Sequence, residues 1–297
     1  MNERTLEVIK KLYRPTKVTI MGKTQILEST SGTFVLKEKQ NDLRSLYQYL
    51  QSRSFTSFPT LIDDSKDINI LEYIEDTSMP KEQKMTDFIH TIASLHQKTT
   101  YYKEVSSDEY KKIYNEIKEQ IDYITYFYEE LYSRYFQSIY PSPSEYFLLT
   151  NHFKIMASLK FATNELEAWY SNIEKLKKYR VCQIHNNLSI DHYLIGQKEC
   201  IISWEKSRKD TPVLDIYHLY KNSYFDYSFD LILQEYFKCI NWSEEEKKLF
   251  FILISIPPKF EEKGSSYKQL NQIKQVLDYV YKTEILIRTY YFVEQTK

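Results

Sequence analysis

Eight consecutive residues gather polar chemistry in one place: His185-Asn186-Asn187-Leu188-Ser189-Ile190-Asp191-His192. Imidazole, carboxylate and amide side chains bind metals and move or orient protons. The chain on either side reads as strand. Val181–Ile184 leads in, and Tyr193-Leu194-Ile195 and Cys200-Ile201-Ile202 follow, separated by Gly196-Gln197-Lys198, a turn-forming group at hairpin spacing. A buried hairpin beside such a loop fixes side chains on rigid supports, and the stretch Val181–Asp215 is where the sequence does this.

The elements that must position this loop lie on both sides of it. Leu6, Ile9, Leu12 and Tyr13 have helical spacing and predict a short helix stopped by Pro15. Three strands are expected next, over Lys17–Met21, Thr24–Ser29 and Thr33–Glu38, followed by a helix over Asp42–Ser52 and strands around Thr60–Ile62 and Asn69–Ile74. Residues 78–180 read as helical. Pro80 stands at a helix start, and Phe88, Ile89, Ile92 and Leu95 recur at helical spacing up to His96, which reads as a packed or capping residue. Long helices are expected over about Asp108–Tyr140 and Glu145–Lys177, separated by Pro141-Ser142-Pro143-Ser144. The aromatic stripe Tyr123, Tyr126, Phe127, Tyr128, Tyr132, Tyr135, Phe136, Tyr140 reads as packing between these two helices. After Asp215, helices are expected over Ile216–Tyr224, Phe229–Cys239, Glu244–Leu253 and about Tyr267–Glu294.

Composition narrows the function classes. The chain has 297 residues, 42% of them hydrophobic and 27% charged, which places it among globular proteins of one or two domains. A net charge of -1 and the lack of a basic patch argue against nucleic-acid binding or attraction to an anionic membrane. Cys182, Cys200 and Cys239 are odd in number and lack metal-ligand spacing, as expected in a reducing cytosol, with Cys182 and Cys200 acting as small buried hydrophobes. No apolar run approaches the roughly 20 residues that span a bilayer, and the N-terminal stretch has no signal-peptide pattern, so no membrane insertion is expected.

The loop and its surroundings resemble the aminoglycoside phosphotransferase and choline kinase branch of the protein-kinase-like fold. That family carries H-x-D-x-x-x-x-N, a short hairpin, I-D-W-E and a later P-x-x-D. Here His185 matches the leading His, Ile202-Ser203-Trp204-Glu205 matches I-D-W-E, and Pro212 and Asp215 match P-x-x-D. Thr33-Phe34-Val35-Leu36-Lys37 resembles the strand whose Lys grips nucleotide phosphates, and Leu71-Glu72-Tyr73-Ile74-Glu75 the hinge over which adenine lies. Leu95-His96 matches the end of the first helix of the large lobe. The resemblance implies an α+β, bilobal kinase-like fold: a small antiparallel sheet lobe with one helix over residues 1–77, and a mainly helical lobe over 78–297 that carries loop 185–192 and hairpin 193–203. It further implies nucleotide contacts at Lys37, Glu72, Tyr73 and Ile74, and structural roles for His185 and Asp215.

The departures from that pattern carry as much information as the matches. Asn187 stands where the catalytic Asp belongs, and His192 and Ser203 stand where the metal-binding Asn and Asp belong. An amide can orient a hydroxyl but cannot take its proton, and Mg²⁺ prefers oxygen ligands with at least one carboxylate. Asp191, one residue before the expected ligand, is the candidate substitute. A transition-metal site of His185, Asp191 and His192 is the other metal reading. The helix expected to provide a carboxylate for Lys37 offers only Asp42, and the turn Gly22-Lys23 is short for wrapping phosphates.

Two function classes follow. The first is a catalytically inactive kinase-like module, a pseudokinase, that binds protein partners and needs no cofactor. In length, Tyr/Lys-rich composition and degraded loop the chain is similar to the spore-coat-associated CotS/YutH-like group of endospore-forming bacteria. That likeness implies synthesis in the mother-cell cytoplasm, a place in or on the spore coat, and coat proteins as partners. The second is an atypical small-molecule phosphotransferase using ATP and Mg²⁺ with shifted catalytic residues.

Overall fold

The computed structural model describes residues 15–22, 24–64 and 67–291. The expected opening helix at Leu6–Tyr13 lies outside them, as does the end of the last expected helix beyond Tyr291. By its own contacts the chain divides into two compact units. The first joins residues 1–100 to 182–209, and the second joins 101–181 to 210–297.

The first unit is built on a five-stranded antiparallel sheet: β1 (Pro15–Met21), β2 (Thr24–Ser29), β3 (Gly32–Glu38), β4 (Leu61–Asp64) and β5 (Ile68–Glu72), in the order β1-β2-β3-β5-β4. Alternation along the strands sends Leu27, Leu36, Ile68 and Ile70 into one buried cluster, with Phe34 against it. Lys37 is registered opposite Asn69 on the neighbouring strand, so the sheet sets its position directly.

Helix α1 (Leu43–Ser52) begins where Asp42 accepts a hydrogen bond from the Ser45 backbone N–H at 3.1 Å. It buries Leu43, Tyr47 and Leu50, and Tyr47 stacks on Phe58 at 4.2 Å between ring centroids. Helix α2 (Lys81–Thr99) starts after Pro80, as the fixed proline φ favours. His96 near its end is fully buried. Hairpin β8 (Tyr193–Ile195) and β9 (Glu199–Ile201) packs on α2 through Phe88 and Tyr193, whose rings stack at 5.1 Å.

The second unit is mainly helical. Its α3 (Ser107–Phe136) and α4 (Pro143–Ile173) each open with a reciprocal capping box, Ser106 with Glu109 and Ser142 with Glu145. Helices α5 (Pro212–Ser223), α6 (Phe229–Cys239), α7 (Glu244–Ile254) and α8 (Ser266–Tyr291) complete it. Residues 78–180 are not wholly helical. Strand β6 (Tyr101–Glu104) pairs antiparallel with β7 (Lys178–Ile184), which leads into the polar loop. All four β6 residues are exposed, so no apolar alternation marks the strand in the sequence.

The aromatic stripe on α3 is only partly packing. Tyr128 and Tyr135 are buried, whereas Tyr123, Tyr126 and Phe136 are exposed, as is Tyr140, which lies beyond the end of the helix. Cys182 and Cys200 are buried, as expected of small hydrophobes. No helix among the described residues is long and apolar enough to cross a membrane.

Candidate functional site

Strand β3, the polar loop and the turn after β9 bring the matched residues together inside the first unit. Lys37 Nζ donates to Glu205 Oε1 at 2.9 Å and to Ser203 Oγ at 3.1 Å. Both members of this ion pair are largely shielded, with side-chain exposures of 15% and 18%. Burial pushes the Glu205 carboxyl up, but the charge and hydrogen bond of Lys37 outweigh it and hold the group below its ordinary value. The carboxylate that faces Lys37 is therefore Glu205. Asp42 instead caps α1, and that helix has no acidic residue in its first turn.

Glu205 sits in a short 3₁₀ turn, Trp204–Lys206, and several bonds fix that turn. Asn41 Nδ2 donates to the carbonyls of Trp204 at 3.1 Å and Glu205 at 3.2 Å. Asn186 Nδ2 donates to the Lys206 carbonyl at 3.2 Å. Trp204 Nε1 donates to the Ile201 carbonyl at 2.6 Å, and its ring meets Tyr47, Phe55 and His185 edge-on. Ser203 (φ 69) and Asn186 (φ 59) both occupy the left-handed region, an uncommon conformation for residues with a Cβ. Ser54 (φ 59), outside the loop, shares this conformation, and of the two site residues Ser203 bears the greater cost because Asn adopts it readily.

Each loop residue then finds a place. His185 is fully buried, and its Nε2 meets the Ile202 carbonyl at 2.9 Å; a carbonyl only accepts, so this nitrogen carries the proton. His192 Nδ1 donates to the Asn187 carbonyl at 2.8 Å by the same logic. Asn187 Oδ1 accepts from Lys206 Nζ at 3.4 Å. Asp191 is exposed, and its backbone N–H bonds Ser189 Oγ at 3.4 Å. His185, Asp191 and His192 do not converge: among the described residues no three His, Cys, Asp or Glu side chains form a group able to hold a metal. Asp215 belongs to the second unit, where it is fully buried in the first turn of α5.

Residues 72–77, which include the expected nucleotide contacts Glu72, Tyr73 and Ile74, are braced by the hairpin tip. Glu72 pairs with Lys198 at 2.6 Å and accepts from the Thr60 backbone N–H at 2.9 Å. The Tyr73 N–H is spent on the Thr33 carbonyl at 3.4 Å. Gly196 lies so close to Ile74 that a Cβ there would stand 2.9 Å from Ile74 Cγ2. Thr77 N–H reaches the Ile195 carbonyl at 2.8 Å, and Asp76 accepts from the Ile195 N–H at 2.9 Å. A groove of about 1010 Å³ runs along residues 72–77 and 196–198.

No protein-family model and no curated protein matches the sequence. Solved structures do. An aminoglycoside phosphotransferase from Alicyclobacillus acidocaldarius is similar at TM-score 0.67 and 13% identity, over 93% of this chain and 91% of the other. Spectinomycin phosphotransferase in complex with ADP and spectinomycin is similar at TM-score 0.58 and 13% identity, over 96% and 98%. Choline kinase LicA from Streptococcus pneumoniae is similar at TM-score 0.51 and 15% identity, over 98% and 99%. The fold is that of the kinase-like phosphotransferases. An antiparallel sheet toward the N-terminus and a mainly helical C-terminal region are what that fold predicts, and both are present. At such identities the likeness concerns the kinase-like fold alone, and function rests on the side chains described above.

Sequence reasoning missed three members of the site. In the sequence Glu205 stands only as the last residue of the Ile202–Glu205 motif, and nothing marks Asn41 or Lys206. Glu205 had a signal in its neighbour: a charged residue beside a tryptophan after an apolar strand is poorly placed for solvent and needs a partner. Asn41 and Lys206 are ordinary polar residues in turns, and only the folded backbone distinguishes them.

Proposed function

We propose that this chain is a catalytically inactive kinase-like protein that acts through protein partners. The observation that carries the reading is what occupies the chemical positions. At 203, a serine hydroxyl accepts from Lys37, and at 187 an amide oxygen accepts from Lys206. Phosphoryl transfer on this fold would need a carboxylate at the acceptor hydroxyl and hard oxygen ligands for Mg²⁺. The residues present do not fit that metal, since positions 192 and 203 supply an imidazole and a hydroxyl, each already hydrogen-bonded. The likeness to the spore-coat-associated group adds the narrower reading: a protein of the mother-cell cytoplasm that joins or helps assemble the spore coat, with coat proteins as partners.

The second reading, an atypical ATP-dependent phosphotransferase, draws on two carboxylates that remain nearby. Glu205 stays ionised beside Ser203, and Asp191 is exposed at the loop. A steady-state assay with ATP, Mg²⁺ and sugar, amino alcohol or protein acceptors separates the two. The inactive reading expects wild type to match a Lys37→Ala control, because each lost catalytic element costs orders of magnitude in rate. Turnover above that control would overturn it.

A further inference from the structure

The second unit holds a cavity of about 280 Å³ whose lining includes Tyr110, Trp169, Tyr179, Arg180, Trp242 and Glu246. Its walls come from the start of α3, the end of α4, the start of β7 and the residues that lead into α7. None comes from loop 185–192 or the Trp204–Lys206 turn.

Three donor groups of this lining lack an acceptor among the described residues. Tyr110 and Trp242 are 1% and 5% exposed, and neither the Tyr110 hydroxyl nor Trp242 Nε1 has a hydrogen-bond partner there. Burial pushes the Tyr110 hydroxyl up, so it keeps its proton at neutral pH, and an indole N–H can only donate. Arg180 gives Nε and Nη2 to the Glu246 carboxylate and Nη2 also to the Asn241 carbonyl at 2.6 Å, and its Nη1 has no acceptor. Native folds keep few unpaired buried donors, because each one destabilises them.

The surroundings of these donors are fixed. Glu246 also accepts from the Ser243 N–H at 2.8 Å as part of the cap of α7, and Trp169 Nε1 donates to the Glu245 carbonyl at 3.1 Å. Tyr110 meets Tyr179 edge-on at 6.5 Å between ring centroids. The charges of the lining cancel, Lys178 and Arg180 against Glu245 and Glu246. A water molecule can satisfy a donor but cannot keep aromatic walls dry.

We infer that this cavity binds a small, flat, uncharged aromatic or heteroaromatic molecule that carries a carbonyl acceptor. The carbonyl draws on the hydrogen bonds that Trp242, Tyr110 and Arg180 have left to donate, and the ring covers the aromatic walls. A volume at the lower end of small-molecule pockets limits the ligand to about one or two rings. Balanced charges give an ion of either sign no advantage. The inference does not depend on whether loop 185–192 is catalytic.

The test follows the indole N–H signals of the full chain by nuclear magnetic resonance while benzamide is added. The chain has three tryptophans, and the Trp242→Phe variant identifies the signal of that residue. Trp169 and Trp204 already donate to carbonyls, so benzamide should move chiefly the Trp242 signal, and downfield, as a new hydrogen bond does. Tyr110→Phe should weaken benzamide about fivefold, the loss of one neutral hydrogen bond. It should leave the thermal midpoint unchanged or raised, because the hydroxyl it removes has no partner in the fold. That combination separates a binding role from a structural one. Tyr126→Phe, at an exposed tyrosine on the same helix, should change neither quantity. Benzylammonium, which has no acceptor, should leave the Trp242 signal in place, and benzoate should bind no more tightly than benzamide. A Trp242 signal unmoved by benzamide, or equal affinity of Tyr110→Phe and wild type, overturns the site. An equal shift with benzylammonium overturns the need for an acceptor, and tighter binding of benzoate overturns the uncharged ligand class.

Discussion

Replacing Glu205 with Gln tests the central contact of the site. In the wild type, Lys37 is held by Glu205 at 2.9 Å and Ser203 at 3.1 Å, with each charged partner less than a fifth exposed. Removing one member of a fully buried pair costs about 3–5 kcal/mol, and an exposed pair is worth about 0–1 kcal/mol. With most of the shielding of a buried pair and Ser203 left as an acceptor, the expected loss is about 2 kcal/mol, roughly a thirtyfold fall in the folded-to-unfolded ratio. Lys37→Met should cost a similar amount by stranding the carboxylate. The double variant should lose clearly less than the sum, with a coupling of about 1–2 kcal/mol. The assay is the set of urea midpoints for wild type, the two single variants and the double variant.

The same pair makes a pH prediction. The folded Glu205 carboxyl lies below its ordinary value, so its contribution is present above the unfolded pKa and is lost as pH falls through the folded one. Wild type should therefore lose stability relative to Glu205→Gln on acidification below about pH 4.5, where a free Glu begins to protonate. Additive single variants, or equal pH profiles, would refute the claim that Glu205 replaces the missing helix carboxylate.

Three further outcomes follow from other parts of the chain. Mg²⁺ should strengthen any ATP binding by less than tenfold, about 1.4 kcal/mol, in calorimetric titrations with and without the metal. A larger gain would mean that Asp191 or Glu205 has taken on the metal. Gly196→Ala should destabilise by about 1–3 kcal/mol, because its Cβ would meet Ile74 Cγ2 at 2.9 Å and the Glu75 carbonyl oxygen at 3.1 Å; an unchanged thermal midpoint would show that the hinge yields. Asp215→Ala, at a fully buried carboxylate in the first turn of α5, should lower the urea midpoint by about 1–3 kcal/mol, while Asn187→Ala should cost under about 1 kcal/mol. The reverse order would show that Asn187 has a structural role beyond its long contact with Lys206.

Much of the architecture was legible because its determinants are local. β2 and helix α6 have the bounds expected from their patterns, and the hairpin at Tyr193–Ile201 follows from two apolar runs around a turn. Strand β6 was not legible, since four exposed residues carry no alternation and its existence depends on pairing with Lys178–Val181, far along the chain. The half-exposed aromatic stripe was misread for a related reason. Spacing places tyrosines on a helix, but which of them meets α4 depends on a packing angle that the sequence does not state. Within the site, the amide at 187 and the hydroxyl at 203 were legible as residue types, and geometry was needed to show that Lys206 and Lys37 donate to them.

That replacement is a consistent change of sign. In a metal-dependent site, carboxylates draw in a cation, and the cation draws in phosphate. Here the two acids are absent from 187 and 203, and the remaining acid in the turn is paired with Lys37. A loop that had simply decayed would leave its polar groups to solvent. This one keeps two residues in left-handed backbone, anchors the Trp204–Lys206 turn from Asn41 and Asn186, and buries His185 and Trp204 beneath it. Strained, cross-linked backbone persists only where the surrounding structure over-determines it. The framework therefore still holds the loop and turn to a fixed geometry, in which Lys206 Nζ donates to Asn187 Oδ1 and Lys37 Nζ to Ser203 Oγ.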